Sequence, residues 1–396
     1  MPSHMPGTGK HYDVLLRSGE VIDPAQKLRG IRDVAIANGR IVLVEEDLGW
    51  VQADQTLDVA GKVVVPGLID MHAHVYAGVT IFGIDADDLC PQTGVTTIID
   101  AGSAGWVNFP GLKRYVIEPS QTRIMAFVHL SAIGLTFRDG ELRNEAYIQP
   151  QEAARVVLEN PDVALGIKVR LHQGVGGDVD LRSLLRKAVD AAERCGKPLM
   201  LHTSGSEKPL AELLPMLRQG DILTHCFNGT QHPIMGEDGR IRPEVWAARD
   251  RGVLFDVGHG RGSFSFDVAR AALQQGFPPD TISTDIHAFN INGPVYDLPT
   301  TMSKFLNLGM DLEEVIERCT IAPARAIGRD ETLGSLRVGG PADIAVLELQ
   351  EGANGHSPVR LEDCHNNVLM SEKRLVCTAS LRQGRVWHDS LEKGPS

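Results

Sequence analysis

The sequence contains no apolar run long enough to cross a bilayer. Its most hydrophobic windows, such as residues 124–135, are about a dozen residues long and contain a histidine, whereas a membrane-spanning helix needs about 20 apolar residues. Residues 1–10 are polar and contain no apolar stretch of the kind found in secretory signals. We therefore expect no membrane association and a cytoplasmic location.

Positive charge and paired cysteines are also scarce. Lys and Arg number 39 against 51 Asp and Glu, which gives a net charge of −12, and the two signs are mixed along the chain. This balance disfavours binding to nucleic-acid phosphates or to anionic membranes. The six cysteines include no C-x-x-C pair, a pattern typical of reduced thiols in the cytosol. The predicted partner is a small molecule.

Low-complexity tracts are absent, and aromatic residues make up only 5% of the chain. With 42% apolar and 23% charged residues, the composition is that of a folded globular protein. The scarcity of aromatics provides no evident stacking platform for a sugar or a base. A chain of 396 residues exceeds a typical single domain, so we expect two units, or one large barrel with an accessory unit.

Both ends of the chain have the pattern of antiparallel strands. Short β-branched runs, separated by Gly, Asn and Pro turns in the N-terminal part, occur at 12–16, 33–37, 40–44, 343–347 and 374–378. Because these stretches flank everything else, we predict one small β-sandwich domain built from residues 11–65 and 335–390.

Between these ends, short apolar runs alternate with stretches of helical period. The predicted strands are 67–72, 96–100, 124–130, 164–170, 198–202, 222–225, 253–256 and 281–285. The predicted helices are 151–159, 181–195, 209–218, 243–250, 266–275, 312–319 and 322–327. Eight alternations indicate an α/β fold, a (β/α)8 TIM-like barrel over residues 66–334, with its active site at the carboxyl ends of the strands. A doubly wound open sheet is the alternative.

Side chains that can bind metals end several of these strands. His72 and His74 lie two apart at the end of the first strand and therefore point to the same face. An H-x-H pair alone is a weak signal. The fifth strand closes with His202, the sixth with His225 and the eighth with Asp285. In a barrel these five residues meet at one mouth although they are far apart in sequence.

Four imidazoles and one carboxylate suit Zn²⁺ or a similar divalent ion, and they exceed what one tetrahedral ion requires. The pattern therefore predicts two divalent metal ions, most simply zinc. Lys168, at the end of the fourth strand, is the candidate bridge, because its neutral amine can add carbon dioxide to form a carbamate. Burial and two nearby cations favour that neutral amine. From the residues alone, a surface or salt-bridged lysine is the more frequent alternative.

Several segments resemble motifs of the amidohydrolase superfamily. Residues 64–74, Val-Val-Pro-Gly-Leu-Ile-Asp-Met-His-Ala-His, resemble its P-G-x-I-D-x-H-x-H opening. Gly-Ile-Lys at 166–168 resembles the carboxylated-lysine strand, and the segments ending at His202, His225 and Asp285 resemble the later ligand strands. Residues 339–344 resemble the G-x-x-A-D motif at which the chain of that superfamily re-enters the small domain. Residues 256–266 are similar to the deacetylase branch related to dihydroorotase.

The resemblance implies a role for each of these side chains. His72 and His74 would bind the more buried metal together with Asp285, and His202 and His225 the more exposed one. Carboxylated Lys168 would bridge the two ions. The implied reaction is hydrolysis of an amide or ester by a metal-bridging hydroxide, with Asp285 as catalytic base and then acid.

The preferred substrate is a small N-acyl amino acid or α-acyloxy carboxylic acid, which the enzyme would deacetylate. Cyclic amide hydrolysis of the dihydroorotase or hydantoinase kind is the alternative that the resemblance also permits. A non-catalytic barrel scaffold is a further alternative, which is disfavoured because no ligand position is vacant.

Five further residues are predicted to bind the substrate. Arg170 follows Lys168 by two positions, so it shares the inward face and can hold a substrate carboxylate, unless it forms a structural ion pair. His259 and His287 follow the seventh and eighth strands and either line the pocket or support it. Asn290 and Tyr296 lie in the turn-rich loop after the eighth strand and can bind a carbonyl or an aromatic group, unless this is an ordinary surface loop. His129 is expected to be a core histidine, and a homo-oligomer is compatible with the sequence.

Overall fold

The computed structural model describes residues 11–352 and 355–391, so the polar stretch 1–10, expected not to be a signal, lies outside the described residues. The strands in the described part are β1 (Tyr12–Asp23), β2 (Leu28–Ala37), β3 (Arg40–Glu45), β4 (Ala53–Asp58), β5 (Val63–Pro66), β6 (Leu68–Ala73), β7 (Val95–Gly105), β8 (Arg123–His129), β9 (Ala164–Arg170), β10 (Leu199–His202), β11 (Ile222–Thr224), β12 (Leu254–Phe255), β13 (Ile344–Glu351), β14 (Val359–Glu362), β15 (Val368–Ser371), β16 (Lys373–Arg382) and β17 (Arg385–Asp389).

The α-helices in the same part of the chain are α1 (Ala86–Thr93), α2 (Phe109–Leu112), α3 (Pro150–Glu159), α4 (Gln173–Gly176), α5 (Leu181–Cys195), α6 (Leu210–Leu213), α7 (Pro243–Asp250), α8 (Phe266–Gln274), α9 (Leu298–Asn307), α10 (Leu312–Glu317) and α11 (Ile321–Ala326). None of the helices in the described ranges is both long and apolar enough to span a membrane.

Strands from both chain ends form one 8-stranded sheet, in the order β17-β16-β13-β5-β1-β2-β3 with β4 beside β1. Successive side chains of a strand point to opposite faces, and accordingly Leu15 and Leu16 of β1 belong to different apolar clusters. β13 pairs with both β5 and β16. The C-terminal segment is therefore inserted beside the strand that leads into the central part of the chain, which confirms a strand-rich unit built from both ends.

The central part of the chain forms a parallel barrel. Strands β6 to β12 pair in sequential order in a 7-stranded sheet, and each of their pairings is parallel. Residues 281–286 close the ring, because Thr281 bridges to Asp256 and Ile286 bridges to Ala73. The sequential order excludes the doubly wound open sheet, whose strand order reverses. The predicted (β/α)8 TIM-like barrel is confirmed.

The eighth barrel position differs from the continuous strand expected at 281–285. It makes isolated bridges, and the hydroxyls of Thr281 and Ser283 bond the Asp256 carboxylate. Asp285 also has a positive φ of 49°, which ends the extended conformation. The segment still exchanges backbone bonds with both neighbouring strands, such as those from the Val257 amide to Thr281 and from the Asp285 amide to His72.

Two helices of the structure also differ from those predicted from the sequence. The predicted helix 209–218 is shortened to α6 and a 3₁₀ turn at Leu214–Met216, because Pro215 lacks the amide proton that a longer helix needs. Helix α9 was not expected from its Pro- and Thr-rich sequence. The Asp297 side chain caps it by accepting from the Thr300 amide, and Met302 and Phe305 are buried, so tertiary packing outweighs the weak propensity.

Candidate metal centre and substrate cavity

The predicted metal ligands converge at one end of the barrel. The His74 Nε2 atom lies 3.1 Å from Asp285 Oδ1, and the His72 Nε2 atom lies 3.4 Å from the same oxygen. Lys168 Nζ lies 3.3 Å from His72 Nε2. The imidazole rings of His202 and His225 have their centroids 4.3 Å apart. The strand-end argument thus brings together every residue that it selected.

A subset of these residues is close enough to share one ion. His72, His225 and Asp285 each offer a ligand atom within 4.8 Å of the others. The Nε2 atom of His225 is buried, and no described residue forms a hydrogen bond with it. A buried nitrogen without a partner is costly, so this atom is suited to a ligand bond. The imidazoles of His72 and His202 also offer nitrogen lone pairs to a metal ion, as their hydrogen bonds show.

Backbone carbonyls determine which nitrogen of two imidazoles carries the proton. His225 Nδ1 bonds the carbonyl of Gly258, so Nδ1 is protonated and Nε2 keeps its lone pair. His202 Nε2 lies 3.2 Å from the carbonyl of Ser204, so its Nδ1 keeps the lone pair. Both rings therefore present an unprotonated nitrogen that is available to a metal ion.

A hydroxyl and a buried carboxylate orient His72. The Thr224 hydroxyl donates its single proton to Asp256 Oδ2 at 2.7 Å. It must therefore accept from His72 Nδ1, which lies 2.8 Å away. Asp256 is fully buried and also accepts from Thr281 and Ser283. This chain of hydrogen bonds leaves the lone pair on His72 Nε2, the nitrogen that faces Asp285 and Lys168.

The titratable groups are kept in the forms that bind cations. Burial lowers the pKa of His72 and His202 well below the ordinary value and that of His225 to about 4, so the rings are neutral at pH 7. Burial raises the pKa of Asp285, but the hydrogen bond from His74 acts against burial, and that pKa lies well below its usual range. Burial also lowers the pKa of Lys168 to about 8.

Comparison with known proteins identifies a family and several relatives of this chain. Residues 262–378 match the model of the amidohydrolase family. A deacetylase of Agrobacterium fabrum is 38% identical over 315 residues, which cover 79% of this chain and 77% of that protein. The chain belongs to the amidohydrolase superfamily. Within it, the chain is a hydrolase of the deacetylase branch related to dihydroorotase.

Two further relatives carry different names. A protein of Syntrophus aciditrophicus named dihydroorotase is 46% identical over 385 residues, covering 94% of this chain and 83% of that protein. A crystal structure described as an adenine deaminase superposes with a TM-score of 0.87 at 31% identity, and the match covers 96% of this chain and 100% of that one. The names differ at comparable similarity, so the substrate has to be argued from the site.

The residues of this amidohydrolase fit a metal centre. Neutral imidazole nitrogens and an ionised carboxylate are ligands that borderline divalent ions prefer. The buried His225 Nε2, which has no hydrogen-bond partner among the described residues, is the feature that a purely structural cluster leaves unexplained.

A cavity of about 760 Å³ opens above these ligands. His287 and Arg170, two of the residues predicted to bind the substrate, line it. Its remaining lining combines apolar groups, hydroxyls and charged side chains, including Phe82, Phe289, Ser204, Arg138 and Arg261. This volume is in the range of pockets that bind small molecules.

Three of the residues predicted to bind the substrate, His259, Asn290 and Tyr296, are not among the described residues that line this cavity. His259 is fully buried and stacks on Phe264, with ring centroids 4.5 Å apart. Asn290 is also buried. Its side-chain oxygen accepts a hydrogen bond from the backbone N–H of His287, and its side-chain nitrogen donates one to the backbone carbonyl of Asp285. Tyr296 has a positive φ of 65° and is 43% exposed. Loop position alone did not reveal these orientations.

Arg170 lines the cavity but is already paired. Its Nε and Nη2 atoms bond the two carboxylate oxygens of Glu141, with Nη2 3.0 Å from Oε2, and Nη2 also bonds the Arg138 carbonyl. Glu141 is fully buried. The structural ion pair, which was the alternative for Arg170, is therefore what the structure contains.

The cavity lining also includes His129, which was expected to be a core histidine and is fully buried, and Arg261, for which no role was predicted. His129 is buried at the end of β8, and its Nδ1 accepts from the Ser131 amide, so its proton is on Nε2, which has no hydrogen-bond partner among the described residues. The strand-end rule applied to the third strand would have selected it. Arg261 lies between Gly260 and Gly262 in the loop after β12. A charged residue between two glycines in an active-site loop was the available signal.

Proposed function

We propose that this protein is a metal-dependent deacylase that removes an acetyl group from a small N-acyl amino acid or α-acyloxy carboxylic acid. The observation that carries the proposal is the cluster of four imidazoles, Lys168 and Asp285 at the floor of a cavity of about 760 Å³. The deacetylase relative of Agrobacterium fabrum supports the choice of acyl transfer to water.

Two divalent ions, zinc in the simplest case, are proposed to occupy the cluster. His72 and His74 would hold one ion with Asp285, His202 and His225 the other, and a carbamate on Lys168 would join them. When bound, such ions lower the pKa of water and polarise a carbonyl group. The neutral amine that carbamate formation requires is accessible, because burial brings the pKa of Lys168 to about 8.

Asp285 is proposed to move the proton. With its pKa well below the usual range, the carboxylate is ionised at neutral pH and can accept a proton from the attacking water. The new C–O bond forms as that proton reaches the carboxylate. The same proton then passes to the leaving nitrogen or oxygen as its bond to the acyl carbon breaks. The products are acetate and the free amino acid or hydroxy acid.

Buried contacts hold Asp285 in place for this transfer. Its backbone carbonyl accepts from the Asn290 side chain at 2.8 Å. The backbone of Gly260 passes so close that a Cβ there would lie 2.5 Å from Asp285 Oδ2. Asn290 is thus a positioning residue, and the carboxylate remains directed at the imidazoles, 3.1 Å from His74 Nε2.

The proposal is tested by hydrolysis of three substrate sets by the zinc-loaded protein: N-acetyl amino acids, O-acetyl hydroxy acids and cyclic ureides. We expect acetate release from one of the first two sets and loss of at least about 1,000-fold in kcat for Asp285→Asn. Asp139→Asn, which changes an exposed carboxylate of the cavity lining, is the matched control. Turnover of cyclic ureides alone would contradict deacylation.

Cyclic amide hydrolysis is the second candidate, because the Syntrophus aciditrophicus relative at 46% identity is named dihydroorotase. Ring opening of a dihydropyrimidine or hydantoin, without acetate release, would support it. A non-catalytic scaffold is disfavoured, since the ligand set is complete. Cytoplasmic location, homo-oligomer formation and the absence of nucleic-acid and membrane partners remain predictions from the sequence.

A further inference from the structure

The cavity contains one cationic side chain that no other described residue neutralises. Of its cations, Lys168 belongs to the candidate metal cluster and Arg170 is bonded to Glu141. Arg138 is 80% exposed at its side chain and lies 3.9 Å from the Asp139 carboxylate. For Arg261 we find neither an ion pair nor a side-chain hydrogen bond within residues 11–352 and 355–391.

Arg261 extends from a loop that is fixed against the proposed proton carrier. The amides of His259 and Gly260 donate to the carbonyls of Ser283 and Thr284, at 3.1 and 2.9 Å. Gly260 has a φ of 60° and packs directly on Asp285 Oδ2. Arg261 follows Gly260 directly, is exposed, and lines the same cavity as Asp285.

The same loop is held from behind by a buried lysine. Lys304 Nζ lies 2.7 Å from His259 Nε2 and donates to the carbonyls of Pro294 and Glu362, each at 2.8 Å. Beyond Arg261, the Ser263 hydroxyl donates to the Ser204 hydroxyl at 3.1 Å. With both flanks fixed, little ordering of the backbone is needed when a ligand binds Arg261.

We propose that Arg261 binds the carboxylate of the substrate and selects acids over their neutral analogues. This inference rests on the proposed function for its substrate class. An unpaired guanidinium presents a fork that matches a carboxylate. In an N-acyl amino acid or α-acyloxy acid, one carbon separates the carboxylate from the atom that bears the acyl group. Arg261 lines the same cavity as Asp285 and is unpaired, whereas Arg170 is occupied by Glu141.

The first test compares an acid with its carboxamide, using whichever acyl compound the wild-type protein hydrolyses. For Arg261→Met we expect kcat/KM for the acid to fall about 10- to 100-fold, the loss typical of a charge-assisted hydrogen bond, with the carboxamide changed less than about threefold. Arg261→Lys should be intermediate, because it keeps the charge and loses the fork. Arg138→Met, at the other lining cation, is the matched control and should leave the acid-to-amide ratio unchanged.

A binding measurement tests the inference separately from turnover. Lactate and lactamide are titrated into the zinc-loaded protein and followed by ligand NMR. We expect lactate to bind at least about 10-fold more weakly to Arg261→Met than to wild type, with lactamide unaffected. Equal lactate binding in the two proteins, no preference for lactate in wild type, or the same loss in Arg138→Met would overturn the role of Arg261. A wild type that deacylates nothing but shows the lactate effect would contradict only the proposed function.

Discussion

Replacing Thr224 by Val should weaken metal binding without unfolding the protein. The change keeps the shape of the side chain but removes the hydroxyl that lies 2.8 Å from His72 Nδ1 and 2.7 Å from Asp256 Oδ2. The buried Nδ1–H of His72 then has no acceptor there, which costs about 1–3 kcal/mol. Asp256 keeps its bonds from Thr281 and Ser283, so the loss is limited.

The same argument gives the size of the effect on the metal centre. Without the acceptor at Nδ1, the proton of His72 is no longer held away from Nε2, the ligand nitrogen. Loss of such a partner weakens metal affinity about 10- to 100-fold, which corresponds to about 1.4–2.7 kcal/mol. Competition with a chromogenic chelator measures this affinity, and chemical denaturation of the metal-free protein measures the free energy of unfolding.

Thr224→Ser is the matched control, because it keeps the hydroxyl and loses a methyl group. We expect it to bind zinc within about threefold of wild type. If Thr224→Val binds zinc as tightly as Thr224→Ser, the hydrogen-bond chain does not set the protonated nitrogen of His72, and the reasoning fails.

Two other substitutions have definite outcomes. Gly260→Ala places a methyl group 2.5 Å from Asp285 Oδ2 at a positive φ, so kcat should fall more than about tenfold and stability by about 1–3 kcal/mol; Gly262→Ala, which meets no atom within 4 Å, should be neutral in both assays. Lys304 has a pKa lowered by burial from 10.5 to about 7, so its contribution to stability is fully present above about pH 10.5 and is lost as pH falls toward 7. Denaturation from pH 7 to 10 should therefore show wild type gaining up to a few kcal/mol relative to Lys304→Met, and parallel pH profiles would contradict this.

The sequence predicted the barrel and the clustering of the candidate metal ligands, because both follow local rules. Strand-end positions of a parallel barrel meet at one face, so His72, His202 and Asp285 could be placed together without knowing any side-chain conformation. The sheet built from both chain ends followed from the same strand periodicity. The eighth strand was less predictable, because Asp285 adopts a positive φ that ends the extended conformation and the segment forms isolated bridges.

The substrate side of the cavity was harder to predict. Which way a loop side chain points depends on contacts between distant segments, such as Lys304 Nζ with His259 Nε2. That contact turns His259 away from the cavity. The pairing of Arg170 with Glu141 likewise joins a strand to a loop residue 29 positions earlier. No pattern within either segment encodes these contacts.

Elemental analysis of protein produced with zinc tests the central claim most directly. We predict two metal ions per chain in the wild type and no more than one in Lys168→Met, because the bridging anion is lost while the imidazoles remain. Circular dichroism confirms that both proteins are folded. A folded wild type that retains no metal, or a Lys168→Met variant that retains both ions, would contradict the account.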